Sequence, residues 1–491
     1  MAERAQQFSS RWGLMLAMLG MAVGTGNIWR FPRIAASNGG GSFLVAWVVF
    51  LFLWSVPLIL LEFAMGKATR RSTVGSFRHF LGDRFAWMGG FVAWSAAGIS
   101  FYYAVVMGWT IRYFFFALTG RLNAVDSQQA WDRFSYSPAA LLFHFLAVAL
   151  AVWVVMGGVS GIERAARILM PALIVLVVVL ALRAVTLPGA SAGLEFLFRP
   201  TWSELGNYRI WLEALTQNAW DTGAGWGLVL TYAIYTRAKE DTNLNAVTLA
   251  FGNNAMSLLA GIMVLCTVFS FVPAAQAAAS LKGQTNEGLT FIWIPQLFDQ
   301  MPGGGLFMTI FFLALVFAAW TSLVALFELV TRILVEMGYT DRRKGVLGLG
   351  VVVWLAGIPS ALSQAVFANQ DFVWSVALML CGLFFAVAVL RYGVTRFRRE
   401  FINNEHQDLR IGAWWDWTIR LVVVEAAVLV VWWMWQVRNS PPLARDGIGN
   451  LMLQWGAVLA ALILANRWLV RKLESRAAVS AQAPPREPAP R

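Results

Sequence analysis

The sequence predicts an all-α integral membrane protein of twelve transmembrane helices, two of them broken at mid-membrane. Three observations carry that reading. Of 491 residues, 59% are hydrophobic and 13% charged, with a mean hydropathy of +0.62, more apolar surface than a soluble domain can cover. Apolar runs of the roughly 20 residues needed to cross a bilayer recur along nearly the whole chain. Two runs far apart in sequence share a flaw: Gly20-Met21-Ala22-Val23-Gly24-Thr25-Gly26-Asn27 interrupts one, and Trp220-Asp221-Thr222-Gly223-Ala224-Gly225-Trp226-Gly227 the other. Glycine lacks a Cβ and weakens helix, and lipid tolerates unwound backbone only where protein or a polar cavity surrounds it. Paired breaks in the two halves of a chain point to the central site of a secondary transporter.

In chain order the runs fall near residues 12–35, 42–66, 87–119, 139–156, 165–186, 209–236, 245–272, 304–336, 345–362, 371–396, 416–436 and 449–470. The connection after the second carries Lys67, Arg70, Arg71, Arg78 and Arg84. Later ones on the same side carry Arg164 and Arg167, Arg237 and Lys239, Arg342, Arg343 and Lys344, and Arg396, Arg398 and Arg399. Basic connections stay cytoplasmic, which puts both termini inside. The net charge of +12 is then a topology signal rather than a nucleic-acid footprint. The first run has no small-residue cleavage site and does not read as a cleavable signal.

Residues 1–11 read as a cytoplasmic segment, 12–400 as a ten-helix core, 401–472 as the last two helices, and 473–491 as a disordered cytoplasmic tail ending in the proline-rich Ala481–Arg491. Residues 273–305, between the seventh and eighth runs, are too polar to span and hold an amphipathic stretch, Leu289–Phe298, with Pro295 inside it. Alternation places this loop outside, as a hinged lid or as an inert surface loop. Cys266 and Cys381 both fall in spans, and His79, His144 and His406 are scattered. No disulfide framework, metal cluster or nucleophile–base pair follows, so an enzyme is not expected.

A charge inside a span costs about 2.5–3.5 kcal/mol on insertion scales, so each needs a reason. Arg30 follows the first break and Asp371 begins the tenth run, either paired across an outer vestibule or each at the water interface. Arg4 and Glu336, which ends the eighth run, would make the matching inner latch. Glu62 reads as an acceptor for backbone donors freed by a helix break; Glu328 has no evident partner. Asp221 lies inside the second break. Sodium prefers oxygen ligands, and Asp221, Asn27 and Asn253 with freed carbonyls near Ala22 could hold it; capping the amides of the broken helix is the alternative. Thr321 and Ser322 place two hydroxyls in the eighth run, where bonding back to the preceding turn is the plain role. Tyr102 and Tyr103 lie deep enough in the third run that a hydroxyl there needs a partner.

From Arg11 to Pro32 (RWGLMLAMLGMAVGTGNIWRFP), through Asn38-Gly39-Gly40-Gly41 and along Pro57–Gly66 (PLILLEFAMG), the chain resembles the neurotransmitter:sodium symporter family. The short connection after the third run is similar to that of bacterial amino-acid members. The resemblance implies a five-helix inverted repeat (helices 1–5 and 6–10), with helices 1 and 6 unwound around substrate and two sodium ions. Position by position it assigns the first sodium site to Ala22, Asn27, Asp221 and Asn253, and the second to Gly20, Val23, Ala318, Thr321 and Ser322. The substrate carboxylate would meet the Gly26 amide and the Tyr103 hydroxyl. Its side chain would face Met21, Thr25, Ile99, Trp220, Gly223, Trp226, Ser322 and Leu326, with Ala22 and Asp221 beside it. Arg30–Asp371 and Arg4–Glu336, the latter near Tyr235, find counterparts as outer and inner gates.

Departures from the family pattern sharpen the expectation. Chloride-dependent relatives hold the anion with a tyrosine in the second helix, a glutamine and a serine in the sixth, and a serine in the seventh. Gln217 and Ser257 fit, but Trp47 replaces the tyrosine and Asp221 the sixth-helix serine. A fixed carboxylate stabilises neighbouring sodium as an anion would, so chloride is not expected. Monoamine-selective relatives carry an acidic residue in the first break, where this chain has Gly24. The expected function is sodium-coupled symport of a neutral, hydrophobic or aromatic amino acid by alternating access, in a bacterial inner membrane. The alternatives are a sodium-dependent transporter of an amine or other small organic substrate, and a non-transporting amino-acid sensor. Expected partners are the amino acid, two sodium ions and lipid, with a homodimer through the last two helices as an option.

Overall fold

The computed structural model describes residues 6–122, 126–339 and 341–482, the last seven as backbone, with no strand among them. Ser10 caps α1 (Arg11–Ala22), its hydroxyl accepting from the Gly13 N–H at 3.0 Å. A 53° bend then leads into α2 (Gly26–Ser37). Next come α3 (Gly41–Thr69), the short α4 (Thr73–Leu81), α5 (Asp83–Leu118), α6 (Pro138–Met156) and α7 (Gly158–Val185). The sixth run is two pieces, α8 (Tyr208–Asp221) and α9 (Leu228–Ala233). The chain continues through α10 (Thr242–Phe271), α11 (Gly304–Glu336), α12 (Arg342–Leu362), α13 (Gln364–Tyr392) and α14 (Trp414–Gln436). It closes with α15 (Ile448–Leu464) and α16 (Asn466–Gln482), bent by 50° where they meet.

Among the described residues nine helices are long and apolar enough to cross a membrane, and eleven crossings result if each bent pair is one. The sixth run misses that test because its break leaves two short pieces. The boundaries shift in informative places. α13 starts at Gln364, two turns before the run read from sequence, so Asp371 sits inside a helix rather than at its first residue. Gln364, Asn369, Gln370 and Asp371 hid those turns, because a helix that lines a cavity need not be apolar throughout. The last helix continues to Gln482, into the stretch read as tail.

The two breaks use glycine differently. In the second, Gly223, Gly225 and Gly227 sit at φ +68°, +86° and +78°, conformations that strain any residue with a Cβ. In the first, glycine supplies room. A Cβ on Gly24 would stand 3.0 Å from Ser322 Oγ and 3.1 Å from the Tyr103 hydroxyl, while Gly26 faces open space.

The donors freed by the second break are met by Glu62, which is wholly buried on α3. Its Oε1 accepts from the Gly225 N–H at 2.6 Å and its Oε2 from the Leu230 N–H at 3.0 Å. This is the structural role read from sequence, and it answers the demand that lipid places on unpaired amides. Around the breaks, α5 and α11 pack along each other as the longest scaffold, α9 lies on α3, and α1 is held between α7 and α11.

Candidate transport site

Both breaks open into one cavity of about 310 Å³, walled by α1, α2, α5, α8, α11 and α13. All twelve residues expected around the substrate line it: Met21, Ala22, Thr25, Gly26, Ile99, Tyr103, Trp220, Asp221, Gly223, Trp226, Ser322 and Leu326. The Tyr103 hydroxyl accepts from the Thr25 N–H at 3.2 Å and from the Thr25 hydroxyl at 3.3 Å, tying α5 to the first break. Trp226 is oriented by its indole N–H, which donates to the Ala219 carbonyl at 2.9 Å. The wall is mainly apolar and aromatic, with polar groups at the breaks and, away from them, at Arg33, Asn286, Glu287, Asp371 and Ser375.

Sequence reasoning left out Tyr102, Val106, Phe367, Phe372, Ser375 and Trp433, which line the same cavity. Tyr102 carried a signal in its depth within the third run, and its buried hydroxyl finds its partner 3.3 Å away at Ser375 Oγ. Phe367 falls in the part of α13 that sequence read as a connection. Trp433 belongs to α14, outside the expected ten-helix core, and reaches the cavity through an edge-on ring contact with Phe372 at 6.2 Å.

The residues assigned to the first sodium site converge. Asn27 donates to Asn253 Oδ1 at 3.0 Å and to Ser257 Oγ at 2.8 Å, while its own Oδ1 accepts from the Gly24 N–H at 2.8 Å. Asp221 Oδ2 accepts from Gln217 Nε2 and from Ser257 Oγ, both at 3.1 Å. Its Oδ1 is buried without a hydrogen-bond partner among the described residues. A buried orphan carboxylate oxygen is expensive, and a hard cation is the partner that would relieve it. Among the described residues no cluster of three His, Cys, Asp or Glu side chains offers a transition-metal site.

The second set is looser. Gly20 lets α1 approach α11: a Cβ there would stand 3.0 Å from the Thr321 Cβ. Thr321 bonds back to the Phe317 carbonyl at 2.9 Å, the plain role considered from sequence. Ser322 Oγ instead crosses to α1, 3.5 Å from the Gly20 carbonyl and 3.4 Å from that of Met21. Val23 and Ala318 are fully buried beside them.

The gates differ from expectation. Arg30 and Asp371 both line the cavity, but no ion pair joins them. The Arg30 guanidinium is bound by the Gln217 amide oxygen and lies 5.0 Å from the Trp220 ring centroid. α8 thus supplies both an acceptor and an aromatic face, which draw the arginine away from Asp371. Arg4 lies outside the described residues, and Glu336 accepts from the Ser72 N–H. Tyr235 donates to Glu328 Oε1 at 2.6 Å, and the same carboxylate pairs with Arg342. Glu328, the charge left without a partner in the sequence, therefore anchors this end of the bundle. Arg342 was hidden among the basic residues that report topology.

Two broken helices around one buried cavity, with oxygen-bearing side chains beside it, are the arrangement of a multi-pass secondary transporter. The Sodium:neurotransmitter symporter family matches residues 5–140 and 137–471. The chain belongs to that family of sodium-dependent transporters and is not an enzyme. It is 28% identical over 494 residues to an uncharacterized sodium-dependent transporter of Methanocaldococcus jannaschii, covering 96% of this chain and 98% of the relative. A Bacillus subtilis counterpart is 30% identical over 452 residues, covering 87% and 97%. The crystal structure of MhsT in complex with L-phenylalanine matches with a TM-score of 0.77 at 31% identity, over 87% of this chain and 99% of that one.

Proposed function

We propose that this chain is a chloride-independent, sodium-coupled symporter of a neutral amino acid with a hydrophobic or aromatic side chain. The observation that carries it is the Asp221 carboxylate, which lines the cavity, is held on one oxygen by Gln217 and Ser257, and is orphaned on the other. Sodium at Ala22, Asn27, Asp221 and Asn253 would bridge to the substrate carboxylate, so that each binding event strengthens the other. A second sodium would sit at Gly20, Val23, Ala318, Thr321 and Ser322. Trp220, Trp226, Ile99 and Leu326 favour an apolar side chain, and the likeness to a phenylalanine complex supports the same class.

In the proposed cycle, sodium and substrate enter between Arg30 and Asp371, which close over them. The second sodium then leaves on the other side and the half of the bundle around α1 opens. The setting is a bacterial inner membrane with both termini cytoplasmic. The gradient and the potential drive the cycle, the latter by about 2.3 kcal/mol per charge per 100 mV. Uptake of labelled amino acids into proteoliposomes with and without an inward sodium gradient tests this. Sodium-driven accumulation of one neutral amino acid supports it; equal uptake without sodium rejects it.

One further expectation concerns Tyr103. In Tyr103→Phe the substrate carboxylate loses a hydroxyl donor, and a hydrogen bond to a charged group is worth about 1.5–3 kcal/mol. Amino-acid affinity should fall roughly tenfold or more, with sodium binding in the absence of substrate unchanged. Equilibrium binding of labelled substrate checks it.

The orphan Asp221 oxygen also favours a second reading, an amine substrate paired directly with the carboxylate. Competition of amino-acid binding by the matching decarboxylated amine distinguishes the two, since the amine lacks the group that Tyr103 and sodium would hold.

A further inference from the structure

The segment before α1 is fastened to the start of α7 by a cluster that the transport reading leaves unused. Ser9 donates its N–H to Glu163 Oε2 at 2.8 Å and its hydroxyl to Oε1 at 2.7 Å. Arg167, one turn further along α7, donates to the Ser9 and Ser10 hydroxyls at 2.7 and 2.9 Å and to Glu163 at 2.7 Å. Ser10 is itself the cap of α1, so the cluster grips the end of that helix directly. Gln6 adds a bond from the Val159 N–H at 3.1 Å. Phe8 donates its N–H to the Tyr235 carbonyl at 3.1 Å and sets its ring edge-on against Tyr232 and Tyr235.

Gly13 makes the grip possible, because a Cβ built there falls on the Glu163 carboxylate. Glu163 is 5% exposed. A carboxylate so enclosed is tolerated when its lone pairs are filled, and here the donors are Arg167 and the serines that lead into α1. The helix held in this way is short and is separated from α2 by the bend at the first break. It is therefore a lever tied at both ends: at one by its approach to Thr321 and Ser322, at the other by Glu163.

We infer that Glu163 is the positioning residue that latches the α1 lever against α7, and that its release accompanies opening of this half of the bundle. The inference rests on the alternating-access reading above. Serine donors suit a latch, because water can replace them when the lever moves, whereas the Glu328–Arg342 pair is more deeply enclosed. Gly13 and Glu163 act as one unit, so a change at either should release the lever.

The test uses full-length protein with Cys266 and Cys381, both buried, replaced by alanine, and Ala17→Cys as reporter. Ala17 is 3% exposed, beside Ile162, Ala165 and Leu169 of α7 and Thr321 and Val324 of α11, so movement of α1 away from these helices uncovers it. Alkylation of the purified protein by a charged thiol reagent should accelerate about tenfold in Glu163→Ala, as expected for loss of a charge-assisted bond. Gly13→Ala should match it with Glu163 still present, Ser9→Ala should give a smaller rise, and Glu163→Asp should return part of the protection. If Glu163→Ala does not purify, Gly13→Ala and Ser9→Ala decide the question. Unchanged reporter rates in these variants overturn the latch, as does a lowered melting temperature with no change in rate. Slowing of alkylation by sodium in the parent is read separately. If sodium has no effect while the variants still accelerate, the latch stands and the sodium-coupling reading falls.

Discussion

Asp221→Ser should convert this transporter to chloride dependence. In gluconate medium the variant should lose sodium-driven uptake by about a hundredfold, and added chloride should restore most of it. Two opposite unit charges 4 Å apart attract by about 4 kcal/mol at an effective dielectric constant of 20, roughly a thousandfold in sodium affinity, part of which desolvation offsets. Serine, with Gln217 and Ser257 already turned toward this position, would leave donors facing a space that a halide can fill. Asp221→Asn keeps the volume without the charge and should stay inactive in either medium. Uptake assays across the chloride series decide it: a native protein that stops in gluconate, or a serine variant indifferent to chloride, would end the idea.

Arg342→Ala should damage the protein more than any single change in the cavity wall. It strands Glu328, which is 0% exposed and shares its carboxylate with Tyr235. Removing one partner of a buried pair costs about 3–5 kcal/mol, whereas replacing both by apolar groups of similar size is often neutral. The single variant should melt well below the parent and lose uptake, and Glu328→Met with Arg342→Leu should recover the melting temperature. Recovery of stability without uptake would show that the pair serves opening and closing as well as folding. Equal losses in the single and double variants would falsify the assignment of Glu328 and Arg342 as a coupled pair.

Most of the cavity was legible because each break is written in contiguous residues. The run Gly20 to Asn27 and the run Trp220 to Gly227 carry their own disruption, and family resemblance placed Ile99, Tyr103 and Ser322 opposite them. Phe367 and Trp433 were not legible. One sits in polar turns of α13 that resemble a connection, and the other on a helix whose apolar pattern suits lipid as well as a cavity. Glu62 was read correctly because a buried carboxylate one helix away from a break has few other uses. The sixth run was placed from sequence, and it escapes a count of long apolar helices because its break cuts it below spanning length.

The gates mark the boundary between the two kinds of information. Arg30, Asp371 and Glu328 are visible in sequence only as charges in costly places, and Arg342 only as one of the basic residues of a connection. Which acceptor each one finds depends on how α8, α11 and α13 pack, and Arg30 chose Gln217 and Trp220 over Asp371. Sequence alone determined that this chain lives in lipid, that two of its helices break, and that oxygen-bearing side chains accompany the breaks, because hydrophobicity, side-chain type and missing Cβ atoms are local properties. Tertiary structure alone decided the partners of the buried charges and the reach of Glu163 past Gly13 to Ser9. For Arg30 and Glu163 those depend on distances of a few ångströms between segments more than a hundred residues apart in the chain, and for Glu328 on how the turn after α11 folds back to bring Arg342 to it.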